Sequence, residues 1–365
     1  MSKETMKLAR KIQITIDLPT AEEKKEVWHK LYTWQDRCMR SANLIMSHLY
    51  VQSMIKDFLY LSEGVKYKLA DEKKDPNGML KCSHISSTYR MLSNRFKGEI
   101  PTNIFNSLNN ELIKKFNRYY IEYVTGKRSL DNFKPDKGFL FGVPGIKRLQ
   151  YNEEKKAFCF LLFSLPFKTY LGRDFTDKHA LLQQVVDGKV KLCSSRMKLE
   201  KGKIFWMPVF EIPKEKHRLK PAVVAEASLS LEHPIFVRIG RNSLMIGNKE
   251  EFLHRRLAIQ AAHSRTKAAV TYCRGGKGKE RKLKALDRFK SLESNYIASR
   301  LHEYSRRLVD FCVKHQAATL VLMDMQQNSE IAKEEQFVLR NWSYYDLMSK
   351  IKYKAEKAGI ELITA

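Results

Sequence analysis

The spacing of apolar residues changes twice along this chain of 365 residues, and those changes constrain its fold most. Residues 10–18 alternate apolar and polar side chains, as a half-buried strand does. Helical spacing follows, and from about residue 130 the spacing returns to two. Because the first strand has no partner within the helical stretch, we expect it to pair with the later strands. The sequence therefore predicts one β unit interrupted by a helical insert.

The helical insert is predicted in two parts. Thr20 and Glu23 have the spacing of a capping box, so a helix should begin there and continue to about residue 61. The polar stretch from Ala70 to Gly78 is expected to be a loop. Helical spacing resumes over residues 84–124 and is broken between Gly98 and Pro101.

The β unit resumes after the insert. Short runs of strand composition occupy residues 139–141, 157–163 and 189–192. A hairpin is expected over residues 192–212, with its turn at Lys201 and Gly202. Together with the strand at residues 10–18, these strands should form a small barrel.

A charged segment, residues 214–221, marks the best domain boundary. Beyond it the patterns predict strands at 222–225, 235–237 and 319–325 and helices over about 250–272, 281–316 and 343–358. Gly359 should end the last helix.

The charge of the chain indicates a polyanionic partner. Lys and Arg number 67 against 40 Asp and Glu, which gives a net charge of +27. A surplus of this size works against the compact state by self-repulsion. Nucleic acid is favoured over a membrane, because no long basic amphipathic helix with a Trp and Leu face is present. The N-terminus lacks a signal-peptide pattern, so we expect a cytoplasmic, nucleoid-associated protein.

Several basic residues are candidates for nucleic-acid contacts. In and after the insert they are Arg37, Arg40, Arg95, Lys97, Lys115, Arg118, Lys127 and Arg128. Residues 274–290 carry eight cations against two carboxylates and include Arg274, Lys277, Lys279, Arg281, Lys282 and Lys284. A solvated helix face is the alternative interpretation of this segment, although its glycines let the backbone approach phosphates closely. Tyr344 can stack on a base or pack within a helix pair.

The C-terminal third resembles a known family. The runs Phe337–Leu347 and Lys350–Ile360 are similar to the RuvC domain of the miniature type V-F CRISPR effectors and of their transposon-encoded TnpB relatives. The loop Arg274–Lys279 and the helix segment Tyr304–Val309 resemble that family too. The likeness covers the chain from about residue 220, and earlier residues match in the order of their elements.

The resemblance implies an α+β multidomain fold. Its parts are a β-barrel wedge domain (1–19 and 129–215), a helical recognition insert (20–128), a linker (216–221) and a degenerate RNase H-like RuvC domain of α/β type (222–365). The family's zinc ribbon would follow Ala365, so we expect a truncated RuvC domain that lacks it. No residues are spaced as C-x-x-C, and we expect no structural zinc.

The family's nuclease site holds two Mg²⁺ ions with three carboxylates. The resemblance places Ser228 at the first carboxylate position and Met323 at the second, and the third would follow Ala365. A hydroxyl and a thioether are poor ligands for Mg²⁺. We therefore expect a degenerate RuvC site that binds no catalytic Mg²⁺, and a protein that is not an enzyme.

The resulting hypothesis is RNA-guided DNA binding without cleavage, with guide RNA and double-stranded target DNA as partners and no membrane. Such a protein is suited to regulating transcription, by blocking a promoter or by recruiting a sigma factor and RNA polymerase. The resemblance also implies a homodimer that shares one guide RNA. Two alternatives stay open. One is a divergent Mg²⁺-dependent DNA endonuclease that uses Glu226, Asp324 and a carboxylate from a partner, and the other is an RNA-guided accessory protein for transposition.

Overall fold

The computed structural model describes residues 4–58, 75, 79–80, 82–172, 177–229, 233–323 and 344–364, without the side chains of Asp136, Tyr344 and Tyr345. Contacts divide the chain into two compact units. One comprises Lys7–Ile212, and the other comprises Met1–Met6 with Pro213–Ala365. Each unit combines helices and strands, so the chain is a mixed α+β multidomain protein, as the sequence predicts.

The first helix, α1, covers Ala21–Phe58 and begins at the predicted capping box. The Thr20 amide donates to a Glu23 carboxylate oxygen at 3.3 Å, and the Glu23 amide donates to the Thr20 hydroxyl at 3.3 Å. Both ends of the motif therefore satisfy groups that the first helical turn leaves without intrahelical partners. The predicted helix end at residue 61 lies outside the described residues.

Three further helices complete the helical insert: α2 (His84–Phe96), α3 (Thr102–Arg118) and α4 (Tyr120–Val124). The predicted break is confirmed, because Gly98 adopts a positive φ of 82° and Pro101 precedes α3. A buried polar group joins α1 to α2. In it, Ser87 donates to Gln52 at 2.8 Å and lies 3.1 Å from His48 Nε2.

A seven-stranded antiparallel sheet forms a curled half-barrel in the same unit. The strands up to residue 213 are β1 (Thr5–Ala9), β2 (Ile12–Ile16), β3 (Phe139–Phe141), β4 (Ile146–Asn152), β5 (Ala157–Leu162), β6 (Leu165–Tyr170), β7 (Lys191–Leu192), β8 (Ser195–Glu200), β9 (Lys203–Met207) and β10 (Val209–Pro213). Of these, β1, β10 and β7 form a separate three-stranded sheet. The order across the half-barrel is β3-β8-β9-β2-β6-β5-β4. Because β2 lies between β9 and β6, the expected pairing of the first strand with the later ones is confirmed.

Several elements of this unit differ from the sequence prediction. The range expected as one strand, residues 10–18, holds the shorter strand β2, and β1, which precedes it, was not predicted. Arg10 lies between the two strands, and its guanidinium donates to Asp177 at 2.7 and 2.6 Å. The strands β4 and β6 and the helix α5 (Lys178–Val186) were not predicted. The sheet has two edges, at β3 and β4, where the sequence prediction was a barrel.

The second unit is built on a five-stranded sheet. Its strands are β11 (Lys220–Ser228), β12 (Ile235–Ile239), β13 (Asn242–Ile246), β14 (Ala317–Leu322) and β15 (Glu361–Thr364). The order is β13-β12-β11-β14-β15, and β11, β14 and β15 are parallel while the other pairs are antiparallel. The sequence did not predict β13 and β15. β11 begins two residues before the strand predicted at 222–225, so it includes the last two residues of the predicted linker.

Three helices accompany this sheet: α6 (Lys249–Thr271), α7 (Gly276–Lys314) and α8 (Tyr344–Ala358). Leu308 of α7 and Ile351 of α8 are fully buried against Ala225 and Leu320 of the sheet. Gly359 ends α8 with a φ of 76°, as predicted. None of the described helices is both long and apolar enough to cross a membrane.

Candidate nucleic-acid interface

The carboxyl ends of β11 and β14 bring the two predicted carboxylate positions together. The strands are parallel neighbours in which Ala227 is paired with Leu322. The Met323 amide donates to the Ala227 carbonyl at 3.0 Å. Ser228 and Met323 therefore lie side by side, at the edge of the sheet where α/β folds bind ligands.

The side chains at these strand ends do not fit a two-Mg²⁺ centre. Ser228 is half-buried, and Met323 is 51% exposed. Glu226 lies two residues before Ser228, hence on the same sheet face, and it is exposed. It is the one carboxylate among the described residues that β11 and β14 present on that face, whereas Mg²⁺ needs several oxygen ligands. Asp324 lies outside the described residues.

No other metal site is evident in the described part of the chain. Among those residues, no three His, Cys, Asp or Glu side chains group in a way that could hold a metal ion. At the ends of β11 and β14 the available groups are the exposed carboxylate of Glu226, the hydroxyl of Ser228 and the thioether of Met323.

The helices α6 and α7 form an antiparallel hairpin whose base is fixed by ion pairs. Arg256, which is 8% exposed, donates to Glu293 at 2.7 Å, and Gln260 donates to the same carboxylate at 2.9 Å. Arg300 contacts Glu251 at 2.7 Å. From Arg256 to Thr271, the last residue of α6, the hairpin extends about 22 Å at the helical rise per residue. Every side chain from residue 260 to 300 keeps some exposure, so this part is an arm open to solvent.

Four cations of the arm share one face of α7. Lys277, Arg281, Lys284 and Arg288 follow one another at spacings of four, three and four residues, which places them in line over about 16 Å. All four are exposed, and within the described residues none has a carboxylate within 4.0 Å. We call these four residues the basic row. Their positive charge is not neutralised inside the protein and is available to phosphates.

The remaining predicted residues of this segment have different surroundings. Lys282 is half-buried, and its ammonium donates to the Ala269 carbonyl at 3.2 Å, so it caps the C-terminal end of α6. Lys279 is half-buried, and Arg274 is exposed beside Gly275 at the tip of the arm. Arg274 is therefore exposed near the N-terminal end of the basic row, whereas Lys282 is bound to α6.

Tyr272 at the tip of the arm was missed by the sequence analysis. Its side chain is 87% exposed and directly precedes the Arg274 turn. An aromatic ring that is this exposed, next to unneutralised cations, has the chemistry of a base-stacking residue. The available signal was its place two residues before the Arg274-Gly275-Gly276 sequence.

In the other unit, Arg37 and Arg40 take part in ion pairs on the protein surface. Arg37 hydrogen-bonds to Glu99 and contacts Asp36 at 3.2 Å, and Arg40 contacts Asp36 at 3.0 Å. Their charges are partly neutralised by these carboxylates, so each is a weaker candidate for phosphate binding than an unpaired cation.

Lys115 and Arg128 belong to a cluster around Asp131. Lys115 contacts Asp131 at 2.9 Å, the Tyr123 hydroxyl donates to it at 2.6 Å, and Arg128 lies 4.0 Å from the centre of the Tyr119 ring. Burial raises the pKa of Asp131, but hydrogen bonds from Tyr123 and Lys115 outweigh it, so this pKa lies below its usual value. These contacts fix the chain after α4.

Four predicted residues remain without internal ion pairs. Arg95, Lys97, Arg118 and Lys127 are exposed, and none has a carboxylate within 4.0 Å among the described residues. They lie at the ends of α2 and α3 and just beyond α4. The side chain of Tyr344 lies outside the described part of the structure.

Comparison with known proteins finds partial sequence matches and a similar fold. No protein-family model matches it. Over 90 residues, 25% of the chain, it is 37% identical to the CRISPR-associated endodeoxyribonuclease Cas12f1 of Sulfoacidibacillus thermotolerans and 30% identical to Cas12f1 of Syntrophomonas palmitatica. The matches cover only 21% and 18% of those relatives' own lengths.

One solved structure is similar in fold over nearly the whole chain. A Cas12f1 solved with sgRNA and target DNA has a similar fold, with a TM-score of 0.66 and 15% identity, over 99% of this chain and 89% of the other. At 15% identity the structural similarity shows only that the folds are alike. The evidence for homology comes from the sequence matches. The chain is a homologue of Cas12f1, the miniature effector of type V-F CRISPR systems, as the resemblance of its C-terminal third predicts.

Proposed function

We propose that this chain binds DNA under the direction of a guide RNA, does not cut it, and regulates transcription. The observation that carries the proposal is the pair Ser228 and Met323, side by side at the ends of β11 and β14. The family resemblance assigns metal-binding carboxylates to both positions. A hydroxyl and a thioether cannot replace two carboxylates around Mg²⁺, so cleavage would lack its metal centre.

Guided binding would use the charges of the second unit. In this class of complex, base pairing between guide and target reads the sequence, and the protein holds the heteroduplex through its shape and backbone. The net charge of +27 and the unneutralised basic row supply contacts of that kind. The shared fold with a Cas12f1 bound to sgRNA and target DNA supports the same partners.

Each proposed domain would have a separate role in guided binding. The half-barrel of residues 1–19 and 129–215 would serve as the wedge domain, and the helical insert of residues 20–128 as the recognition domain. Together they would read a short flanking motif in the DNA. The third domain, residues 222–365, would be the degenerate RuvC domain, and its sheet of antiparallel and parallel strands supports an RNase H-like fold.

Guided binding can be tested with the RNA that purifies with the protein from its own cells. That RNA is sequenced, and labelled duplexes are made that match or scramble the complement of its variable segment. We expect a slower-migrating complex with the matched duplex only, and only when the RNA is present. Equal binding of matched and scrambled DNA would reject guided recognition and leave non-specific binding.

A protein partner would supply the transcriptional output. The sheet face that carries Ser228 also exposes apolar side chains, namely Val224 (43%), Met245 (57%), Met323 (51%) and Ile363 (46%). An exposed apolar face of this kind supports contact with a protein such as a sigma factor. Recruitment would activate a promoter, whereas a bound complex without a partner would block one.

A reporter gene downstream of a guided target separates these outcomes. We expect expression to change only with the matched guide. The pair Met245→Lys and Ile363→Lys should abolish activation and preserve DNA binding if a partner docks on this face. A reporter that does not respond to the guided complex would rule out transcription control. The proposed homodimer is checked separately, by light scattering of the protein with its RNA.

A second candidate function is Mg²⁺-dependent DNA cleavage, favoured by one observation. Glu226 is exposed on the same face as Ser228 and could hold a metal ion together with carboxylates from elsewhere. This alternative predicts guided cleavage that requires Mg²⁺ and is lost on Glu226→Gln. We expect no cleavage by either protein.

A further inference from the structure

Arg148 has an unusual backbone conformation for its place in the fold. Six described residues other than glycine have a positive φ. Five of them lie in turns or directly after a helix: Lys156, Phe163, Ser164, Lys201 and Gln316. Arg148, with a φ of 53°, is the one that lies within a strand, β4. Left-handed backbone is unfavourable for a residue with a side chain, so its presence inside a strand requires an explanation.

The conformation belongs to a β-bulge. Lys147 is paired with Leu161, and Gln150 with Cys159, so β4 takes three steps where β5 takes two. The extra residue bends the strand and re-aims a side chain. Glycine is the usual residue at the left-handed position of such a bulge, because it adopts positive φ without strain. This chain has an arginine there.

No ion pair within the described part of the chain accounts for the arginine. β4 is an edge strand, and Arg148 and its neighbour Lys147 are both exposed. Among the described residues, Arg148 has no carboxylate within 4.0 Å. Arg10 and Arg196 in the same unit contact Asp177 and Glu111 instead, at 2.6 and 2.8 Å. Arg148 therefore combines an exposed cation, unpaired among the described residues, with an unfavourable backbone conformation.

We infer that Arg148 binds a backbone phosphate of the nucleic acid, and that the bulge in β4 aims it there. A guanidinium can donate two parallel hydrogen bonds to one phosphate, and the adjacent Lys147 adds charge. The inference rests on the proposed function, since it names a further contact of the same RNA or DNA. The phosphate belongs either to single-stranded RNA or to a duplex, and the two sources are distinguished by the probes.

The test compares Arg148→Gly with a matched control, Lys156→Gly. Lys156 is exposed, has a φ of 47°, and lies in the turn of the same β4–β5 hairpin. Each variant removes one positive charge and relieves one left-handed residue. Both should raise Tm by about 2 °C, because glycine adopts the backbone freely. Probes are labelled single-stranded RNA, duplex DNA and an RNA–DNA hybrid, each about 20 nucleotides long.

Only Arg148→Gly should weaken binding, about tenfold for the probe that supplies the phosphate. The slope of log Kd against log salt should fall by about 0.9 for duplex DNA or by about 0.7 for single-stranded RNA. If both variants bind like the wild type, or lose affinity equally, the inference is wrong. A lower Tm for Arg148→Gly would also overturn it, because the side chain would then be structural. Failure of the wild type to bind any probe would instead refute the proposed function.

Discussion

Neutralising the basic row should weaken nucleic-acid binding in a way that depends steeply on salt. The perturbation is the quadruple variant Lys277→Gln, Arg281→Gln, Lys284→Gln and Arg288→Gln. All four side chains are exposed on one face of α7. Because no carboxylate of the described residues neutralises them, each can displace a counterion from a phosphate. Glutamine keeps the length and the helix propensity of the side chains close to the original.

The magnitude follows from the number of contacts. Four lost phosphate contacts lower the slope of log Kd against log salt by about 3.6 for duplex DNA and about 2.8 for single-stranded nucleic acid. For duplex DNA, the affinity of the wild type should therefore fall about 150-fold more than that of the variant between about 50 and 200 mM salt. Fluorescence anisotropy of a labelled duplex over this salt range measures both quantities.

The control variant removes four cations that already have internal partners. These are Lys11 with Glu200, Lys189 with Asp187, Arg306 with Asp310 and Lys357 with Glu215, at 3.1, 3.4, 2.9 and 2.8 Å. Both variants lower the net charge of +27 by four, so they differ only in where the charge is lost. Equal changes in slope for the two variants would show that binding follows net charge. An unchanged slope for the basic-row variant would show that the row is only a solvated helix face.

Three smaller predictions test separate parts of the account. Thr20→Ala should lower the free energy of unfolding in urea by about 1 kcal/mol, since it removes the capping box of α1. Tyr272→Ala should weaken binding of single-stranded RNA by about 5- to 100-fold, and Tyr272→Phe should preserve it, if the ring stacks on a base. Burial, together with the charges of Arg306 and Lys350, lowers the pKa of Lys354 to about 8. The folded state therefore loses this proton at lower pH than the unfolded state does, and the stability of the wild type relative to Lys354→Met should rise with pH above about 8.

Local patterns predicted those parts of the fold that depend on neighbouring residues. The capping box at Thr20 and Glu23, the break at Gly98 and the glycine that ends α8 follow from sequence spacing. The pairing of β2 with the later strands also followed, because an isolated strand needs a partner. β4 was missed for a physical reason: its bulge adds a residue and interrupts the alternation on which strand prediction relies.

Whether each charged side chain has an ion-pair partner could not be predicted from the sequence. Lys115 and Lys277 were both predicted from the sequence as nucleic-acid contacts. In the structure Lys115 contacts Asp131, while Lys277 has no carboxylate partner among the described residues. Lys282 lies within the same basic segment but caps α6. These differences depend on tertiary contacts between distant residues. The adjacency of Ser228 and Met323, by contrast, was expected from the family resemblance and is seen in the register of β11 and β14.

The central claim is that one complex finds a DNA target and leaves it intact. The direct measurement incubates the protein and its own RNA with a matched duplex, labelled on both strands, in the presence of Mg²⁺, and divides each sample between a native and a denaturing gel. We predict a stable guide-dependent complex on the native gel and full-length strands on the denaturing gel at every time point. DNA strands that are shortened only with the matched guide and Mg²⁺ would contradict this prediction. They would show that the protein is a guided nuclease.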